Sequence, residues 1–399
     1  MEVTMIQHPV GQGGLFSGEL QSGNSVLRWV YDCGSNQQDR LKEEILSVAA
    51  RGPIDLLFLS HLDSDHVNGV DRLLATTCVR EVVLPYLSAA EFAIAVATDV
   101  STGALSGTFL EFVTAPSKWL IARGVRTVSF LQAVVEGRPL GEWLIPEPDG
   151  EDTRRDENRG LTIQWSEPAI KSRVVKGSTI QNIAAGTSIG VTQNGSRIEW
   201  LLAPYAHKPS RRRMAEFQKA LERSFGKGLT RSSIVAHARN EPGRAKLKEC
   251  YGALWSDHNK VSMSLYAGPQ ASPSISNLQL PFGLWRTPLQ PMTEIGWLMT
   301  GDAELAARRR VSAFMTHYAR FLDRVSVLVL PHHGSELSFH WHLIHDLPNL
   351  NVCVVAAGPN QYGHPHSEVF RFVKNFLGLD GWHHVSEHPT SGYGVRAVI

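Results

Sequence analysis

One six-residue stretch constrains the fold of this chain more than any other. The apolar run at residues 54–60 has the length of a β-strand, and it leads directly into His61, Asp63, Asp65 and His66. Each of these side chains can bind a metal, and each is costly to bury without a partner. A strand that ends in such a loop predicts a divalent-cation site, with these four residues among its ligands.

The spacing within the stretch supports this interpretation. In an extended or turning segment, positions two apart point the same way, so His61, Asp63 and Asp65 can converge. His66 joins them as the chain turns into the next helix. The alternative is an ordinary helix start, with Asp63 or Asp65 as the cap and the histidines on the surface. One carboxylate would serve as a cap, so four potential ligands in six residues favour the metal site.

Three later predicted strands, at residues 295–300, 325–330 and 351–357, also lead into polar segments. Their loops contain potential ligands: Asp302, the pair His332 and His333, and the pair His364 and His366. Asp302 after a glycine and His364 before a proline each also fit a plain turn. Adjacent histidines are a stronger signal. Sites collect at strand ends in layered α/β folds, so we expect these loops to meet.

Composition limits the class of protein. The chain has 399 residues, 43% hydrophobic, and a net charge of +1, so any basic binding surface must be local. It has no apolar run near the ~20 residues that a membrane helix needs, and no secretory signal at its start. Four widely spaced cysteines without a CxxC pair argue against a disulfide framework and a thiolate zinc site. We therefore expect a cytoplasmic protein without membrane association.

The order of predicted elements indicates an α/β layered domain. Strands at residues 3–10, 25–31, 54–60 and 79–84 alternate with helices at residues 37–50 and 69–75. Further helices are predicted at residues 109–123, 214–225, 305–322, 339–347 and 368–377. A polar stretch at residues 146–160 is predicted to be an exposed loop or an insertion boundary.

Four motifs, taken in order, resemble those of the metallo-β-lactamase fold. They are HLDSDH followed by NG at residues 61–69, TGDAE at 300–304, LPHHGS at 330–335 and YGHPHSE at 362–368. The resemblance is closest to the soluble hydrolase domain of the competence protein ComEC and its stand-alone relatives. Asp32 matches the aspartate that precedes the metal loop in that fold. The resemblance covers about residues 1–85 and 255–399, and no motif is visible between them.

This resemblance implies an αββα sandwich with two divalent metals at one edge of the sheets. It further implies a single domain over residues 1–399, with a large central insertion of unknown role at about residues 86–255. Carried over by position, His61 and Asp63 would hold the first metal, while Asp65 and His66 would hold the second.

The remaining ligands implied by the resemblance come from the later motifs. Asp302 would bridge the two metals and His364 would complete the second site. His332 or His333 should point into the same cleft. The family commonly has a histidine where Asp63 stands, although ComEC-like members share the aspartate.

The family also has a histidine motif between the metal loop and the bridging aspartate. Here only His207, His237 and His258 lie in that interval, and none is in a motif. His332 or His333 could therefore complete the first site. Several carboxylates beside imidazoles form a hard site, which moves the preference from zinc toward manganese. We expect two ions of zinc or manganese.

Such a site would act on phosphodiesters. Two cations about 3.5–4 Å apart can hold a hydroxide and clamp phosphodiester oxygens. We expect a phosphodiesterase, specifically a nuclease that cleaves DNA, with Asp65 orienting the hydroxide and His333 protonating the leaving oxygen or contacting the phosphate. Ser335 and His366 are predicted to bind substrate, Ser335 by cradling a phosphate at a helix start. An ordinary N-cap role for Ser335 is equally compatible.

Two other functions fit the sequence. The same fold could hydrolyse a small ester, a lactone or a cyclic or linear nucleotide, or the chain could be a non-catalytic metal-binding partner subunit. The retained ligands argue against the second of these. Nucleic-acid binding would need basic residues near the cleft, and the densest clusters are Lys208 with Arg211–Arg213, and Arg308–Arg310. Three arginines in a helix more commonly form a solvated face.

Overall fold

Two mixed β-sheets pack face to face, with helices on both outer faces, in a computed structural model of the protein. The structure describes residues 1–87, 92–93, 96–97, 100, 107–133, 140, 160–193, 196–207, 211–252, 262–280 and 292–399. This architecture confirms the predicted α/β class and is consistent with the αββα sandwich of the metallo-β-lactamase fold.

The strands fall into one sheet of ten and one of eight within the described residues. In chain order they are β1 (Glu2–Gln7), β2 (Gly13–Ser22), β3 (Ser25–Ser35), β4 (Ile54–Phe58), β5 (Val79–Pro85), β6 (Thr127–Leu131), β7 (Leu161–Trp165), β8 (Lys171–Val175), β9 (Ser178–Ile183), β10 (Ile189–Gln193), β11 (Ser196–Ala206), β12 (Met263–Pro269), β13 (Asn277–Gln279), β14 (Gly296–Met299), β15 (Val325–Val329), β16 (Val352–Ala356), β17 (Trp382–Val385) and β18 (Tyr393–Val398). The first sheet has the order β13-β18-β1-β2-β3-β4-β5-β6-β9-β8, and the second β17-β16-β15-β14-β12-β11-β10-β7.

The α-helices and short 3₁₀-helices connect and cover the sheets. The α-helices are α1 (Gln38–Ala50), α2 (Ser64–Val67), α3 (Val70–Thr76), α4 (Gly107–Thr114), α5 (Pro116–Ile121), α6 (Arg211–Phe225), α7 (Arg231–Ala238), α8 (Glu241–Gly252), α9 (Arg308–His317), α10 (His342–His345) and α11 (Ser367–Leu377). The 3₁₀-helices span Ala319–Arg324, Pro331–Gly334 and Pro389–Ser391. No helix in the described ranges is both long and apolar enough to cross a membrane.

Parallel pairing brings the polar loops to one edge. Strands β3, β4, β5, β6 and β9 run parallel in the first sheet, as do β14 to β17 in the second. Their carboxyl ends therefore lie side by side in each sheet. One backbone bond joins the edges of the two sheets, since the Met263 N–H of β12 donates to Ser60 O after β4 (2.7 Å). Within the second sheet, the His332 N–H donates to Gly301 O (2.9 Å). The loops after β4, β14 and β15 consequently meet.

Aromatic side chains fill the space between the sheets. Phe16 of the first sheet packs on Trp297 of the second, with ring centroids 5.1 Å apart, and Trp29 packs on Trp200 at 6.1 Å. All four are at most 1% exposed. Large tilted ring pairs of this kind contribute more than their area alone.

The outer helices bury one apolar face each. On α1, Leu41, Ile45 and Val48 recur at helical spacing and pack against β3 and β4 residues in a single cluster. On the opposite side, α9 and α11 cover the second sheet through Val311, Phe314 and Val369, among others.

Residues 86–255 extend both sheets. They contribute β6, β8 and β9 to the first sheet and β7, β10 and β11 to the second. Helices α6 and α7 from this region pack Phe217, Leu221 and Ile234 into the same cluster as α1. The predicted insertion is thus built into the layers of the sandwich in the part that is described.

Several predicted elements have different bounds. The helix predicted at residues 109–123 is two helices, because Ala115 has a non-helical backbone (φ −144°, ψ 65°) before Pro116. The helix predicted at 305–322 is limited to α9 and a 3₁₀ turn, and that at 339–347 to the four residues of α10. The predicted loop at 146–160 lies outside the described residues except Gly160.

The inter-sheet aromatic core sets much of the stability. Replacing Trp297 by alanine should cost about 3–5 kcal/mol of unfolding free energy, because a fully buried large side chain is lost. Urea denaturation of the metal-free protein measures this. The matched control is Trp341→Ala, since Trp341 is 43% exposed, and it should change stability by no more than about 0.5 kcal/mol. Equal losses in both variants would contradict the packing described.

Candidate metal centre

The loop after β4 enters the interior. His61, Asp63 and His66 are at most 5% exposed, and Asp65 is half-buried at the first turn of α2. Asp63 precedes α2, yet its carboxylate makes no capping hydrogen bond to the helix backbone. The helix-cap alternative for this aspartate is therefore wrong.

Asp302 lies among four histidines. Its Oδ2 atom is 3.4 Å from His61 Nε2 and 3.7 Å from His332 Nε2. Its Oδ1 atom is 3.4 Å from His66 Nε2 and 3.8 Å from His333 Nε2. Each oxygen of this buried carboxylate thus faces a different pair of imidazoles.

Two further carboxylates approach the same rings. Asp65 Oδ2 is 3.5 Å from His333 Nε2, and Asp63 Oδ2 is 3.9 Å from His61 Nε2. Three overlapping groups result, in each of which all ligand atoms lie within 4.8 Å of one another: His61, His66 and Asp302; Asp65, His66 and His333; and His61, Asp63 and Asp65.

These separations suit metal coordination. At 3.4–3.9 Å the nitrogen–oxygen pairs are too far apart for good hydrogen bonds. Two ligands held about 2.0–2.2 Å from a tetrahedral ion lie about 3.3–3.6 Å from each other. A cavity of about 30 Å³ is lined by Asp302, His66 and His333 among other residues, enough for a water-sized species.

Asp32 orients two of the imidazoles. Its Oδ2 atom accepts hydrogen bonds from His66 Nδ1 (2.8 Å) and from the Ser60 hydroxyl (2.7 Å). Because that hydroxyl has only one proton, His61 Nδ1 must donate to Ser60 Oγ (2.8 Å). The Nδ1 protons of both rings are thus fixed, so each neutral ring presents the lone pair of Nε2 to Asp302.

His333 is oriented in the same way. Its Nδ1 donates to the Ala356 carbonyl at 2.7 Å, which leaves the Nε2 lone pair facing the carboxylates. His332 Nδ1 lies 3.3 Å from Ser338 Oγ. The Nε2 atoms of His61, His66 and His333 are buried and form no hydrogen bond with any described residue. A ring nitrogen that faces a carboxylate is stable there only when a proton or a metal cation lies between the two atoms, so this donor set fits a metal.

Strained backbone accompanies the cluster. Asp32, His332 and His333 have φ values of +58°, +50° and +55°, a region that non-glycine residues rarely adopt. Such strain persists where the surrounding structure enforces it, commonly at functional sites. Gly301, at φ +54°, precedes Asp302, and a Cβ there would lie 2.7 Å from Ser262 Oγ.

Electrostatics couple the buried groups. Burial alone would lower the pKa of His66, but Asp302, Asp32 and Asp65 outweigh it and hold that pKa well above its usual value. Burial alone would raise the pKa of Asp302, yet the surrounding histidines, His332 first, hold it well below its usual value. The pKa of Asp65 is likewise lowered, by His66 and His333, against the effect of burial.

Three predicted site residues lie at the margin of the cluster. The His364 ring centroid is 5.1 Å from that of His332 and 5.0 Å from that of His366. His366 Nδ1 accepts a hydrogen bond from the Glu336 N–H. Ser335 is buried directly after the 3₁₀-helix Pro331–Gly334 and is followed by further turns, so it is not the N-cap of a helix and does not lie at a helix start.

Neither described histidine of the middle region, His207 or His237, supplies a ligand. His207 is buried, with Nε2 2.8 Å from Ser264 Oγ and its ring stacked on Phe314. His237 packs on Phe225, and His258 lies outside the described residues. The sequence did not predict the role of Ser60, which links Asp32 to His61, although Ser60 directly precedes His61.

The predicted basic clusters differ in what they can offer. Arg310 is engaged with Glu304, its Nη1 donating to the carboxylate at 2.7 Å, so it supports the loop after Asp302. Lys208 and the side chains of Arg211–Arg213 lie outside the described part of the chain. A second His/Asp group, formed by His342, His345 and Asp346, lies at the surface and was not predicted.

Comparison with known proteins does not identify the chain. No protein-family model matches the sequence, and no curated protein sequence matches it significantly.

Asp32 should control metal affinity without being a ligand. Asp32→Asn keeps a side chain that tolerates positive φ but weakens the orientation of His61 and His66. Loss of such a partner lowers metal affinity by about 10- to 100-fold. Competition with a chromophoric chelator measures the change.

Asp55 offers the matched control. It is a buried aspartate at the other end of β4, where it accepts hydrogen bonds from the Arg28 N–H and the Arg80 side chain. Asp55→Asn should leave metal affinity unchanged. Wild-type affinity in Asp32→Asn would contradict the role assigned to Asp32.

Metal affinity should also depend on pH. The raised pKa of His66 means that this ring carries a proton near neutral pH in the metal-free protein, and binding at Nε2 must displace it. Apparent affinity should therefore fall about tenfold for each unit that the pH drops below that pKa. Chelator competition between pH 6 and 8 measures this, and a pH-independent affinity would contradict it.

Proposed function

We propose that this protein is a metal-dependent hydrolase of phosphodiesters, specifically a nuclease acting on DNA. The observation that carries the proposal is the position of Asp302, whose two oxygens face two separate pairs of imidazoles. A bridging carboxylate between two ligand groups is the arrangement that a two-metal hydrolytic site requires.

We divide the candidate ligands into two groups, by the Asp302 oxygen on whose side they lie. His61, Asp63 and His332 lie on the side of Asp302 Oδ2, and Asp65, His66 and His333 lie on the side of Oδ1. We assign to His332 the position that, in the family resembled, a histidine of the middle region fills, because His332 Nε2 lies 3.7 Å from Asp302 Oδ2. His333 occupies the position beside Asp65 and His66 that the family resemblance gave to His364.

Two divalent ions, zinc or manganese, would lower the pKa of a bound water and stabilise negative charge on phosphate oxygens. The residues of this chain hold and orient the reactants. Asp65, whose side chain is 22% exposed, is the ligand that can also reach an approaching water. Because His333 Nδ1 is committed to the Ala356 carbonyl, we assign His333 to metal binding ahead of proton transfer.

We assign His364 and His366 to the entrance of the site. Both rings are partly exposed and lie beside the buried cluster, with Tyr362 against His364 at 5.8 Å between centroids. From there an imidazole can contact a phosphate or protonate a leaving oxygen. Ser335, being buried and away from any helix start, is a weaker candidate for phosphate binding.

The assignment to phosphodiesters rests on the motif resemblance to the ComEC-type domain together with the two-sided carboxylate. It is tested by incubating the purified protein, loaded with manganese or zinc, with single-stranded, duplex and plasmid DNA and with bis(p-nitrophenyl) phosphate. Wild-type protein should cleave DNA. Asp302→Ala should reduce the rate by at least about 10²-fold, because removal of a group that organises the charged site costs several kcal/mol.

Asp346→Ala is the matched control. Asp346 also lies in a His/Asp group, but that group is at the surface, and the variant should keep wild-type activity. Cleavage of small carboxylic esters or lactones without any phosphodiester turnover would overturn the proposed substrate class. A metal-loaded protein that hydrolyses none of these substrates would overturn the enzymatic proposal.

A further inference from the structure

A cleft of about 620 Å³ opens beside the strands that residues 86–183 add to the first sheet. Its walls include Tyr86, just after β5, Phe130 near the end of β6, and Lys171 and Arg173 on β8. Residues 114–117, from the end of α4 to the start of α5, also line it. The volume is typical of a site that accepts a compact ligand or a short length of chain.

The strand register aligns the polar and aromatic side chains. Phe130 pairs with Asn182, and Asn182 pairs with Lys171, so these three lie in one row across β6, β9 and β8. Ile180 and Arg173 form part of the next row. Directly paired residues in neighbouring strands share a face, so both cations point to the same side as Phe130. The cleft is thus basic at one end and aromatic at the other.

No described residue compensates the charge of the cleft. Lys171 and Arg173 are exposed, and neither forms an ion pair with any described residue. Among the described lining residues there is no aspartate or glutamate. Two unpaired cations in a concave surface attract anions, and phosphates most effectively when no carboxylate competes.

The aromatic end suits a nucleobase. Tyr86 is 43% exposed, an unusual exposure for a large aromatic residue, and Phe130 is half-buried. Base stacking on aromatic rings beside a positively charged groove is the general mode of single-strand recognition. Hydroxyl and amide groups of Ser117 and Asn182 add hydrogen-bonding partners of either polarity.

The cleft is near the metal centre in the sheet order. The strands run β4, β5, β6, β9, β8, with β4 delivering His61 and with β5, β6 and β9 ending at the same edge. At about 4.8 Å per strand, the cleft begins one strand from β4 and reaches β8 about 19 Å away. A chain that leaves the metal centre along this edge would pass Tyr86 first and the cations next.

We infer that this cleft binds single-stranded nucleic acid, holding the bases and phosphates that lie beyond the scissile bond. The inference rests on the proposed function for its place in the reaction, but the binding itself does not need the metals. It gives the middle region of the chain a role in substrate binding.

The test is binding of a fluorescent single-stranded oligonucleotide to metal-free protein in EDTA, followed by anisotropy. Lys171→Ala with Arg173→Ala should weaken binding at least tenfold at low salt. The slope of log K against log[salt] should become less steep by about 1.4, since each lost phosphate contact accounts for about 0.7 with single strands. Both side chains are exposed, so the variant should keep the thermal midpoint of the wild type.

Lys176→Asn is the matched control. Lys176 lies at the turn of the same β8–β9 hairpin, is exposed and does not line the cleft. Asparagine tolerates its φ of +51°. This variant should bind the oligonucleotide as the wild type does.

The aromatic part is tested at Tyr86. Tyr86→Ala should weaken single-strand binding about 5- to 150-fold, the range expected for one lost stacking contact, whereas Tyr86→Phe should restore it.

Two results would overturn the inference. One is unchanged oligonucleotide affinity and salt slope in the Lys171/Arg173 variant, and the other is equal loss in that variant and Lys176→Asn. Duplex DNA that binds as tightly, with the same dependence on Tyr86, would overturn the assignment to single strands. Because these measurements use metal-free protein, they separate failure of the cleft from failure of the proposed hydrolase activity, which is read from phosphodiester turnover by the metal-loaded wild type.

Discussion

The buried carboxylate of Asp302 and the imidazoles around it form the interaction on which the rest of this structure depends. Four carboxylates, from Asp32, Asp63, Asp65 and Asp302, lie within or beside one cluster, and the cost of burying such charge is high unless it is compensated. Imidazolium groups can supply part of the compensation, as the raised pKa of His66 indicates. Two divalent cations would supply charge equal to that of all four carboxylates, with the imidazoles then neutral and acting as ligands.

The fold brings this cluster together from distant parts of the chain. The first sheet delivers Asp32 and the loop after β4, and the second sheet delivers Asp302 after β14 and His332 and His333 after β15. Parallel strands place these loops at one edge of each sheet, and the aromatic pairs between the sheets hold the two edges together. Strained φ values at Asp32, His332 and His333 indicate that this packing enforces the geometry of the site.

Local signals in the sequence predict part of the structure. The apolar run before His61 and the ligand-rich loops after three later strands indicated both the layered fold and the composition of the cluster. What the sequence could not resolve depends on three-dimensional proximity. The sequence does not show whether His333 or His364 lies beside Asp65 and His66. That depends on how the two histidine-containing loops pack, which the spacing of residues along the chain does not encode. The sequence does not reveal the hairpin of β8 and β9 because both strands are short and rich in polar residues and β8 is largely exposed, although Lys176-Gly177 is a recognisable turn signal.

The central claim is that Asp302 lies between two metal ions. It is tested most directly by anomalous diffraction from crystals grown with manganese or zinc, recorded at the absorption edge of the metal. We expect two anomalous peaks, one on the side of Asp302 Oδ2 with His61 and His332, and one on the side of Oδ1 with His66 and His333. If no peak appears at Asp302, the position of Asp302 between two metal ions is contradicted. This holds whether or not a peak appears at the surface group of His342, His345 and Asp346.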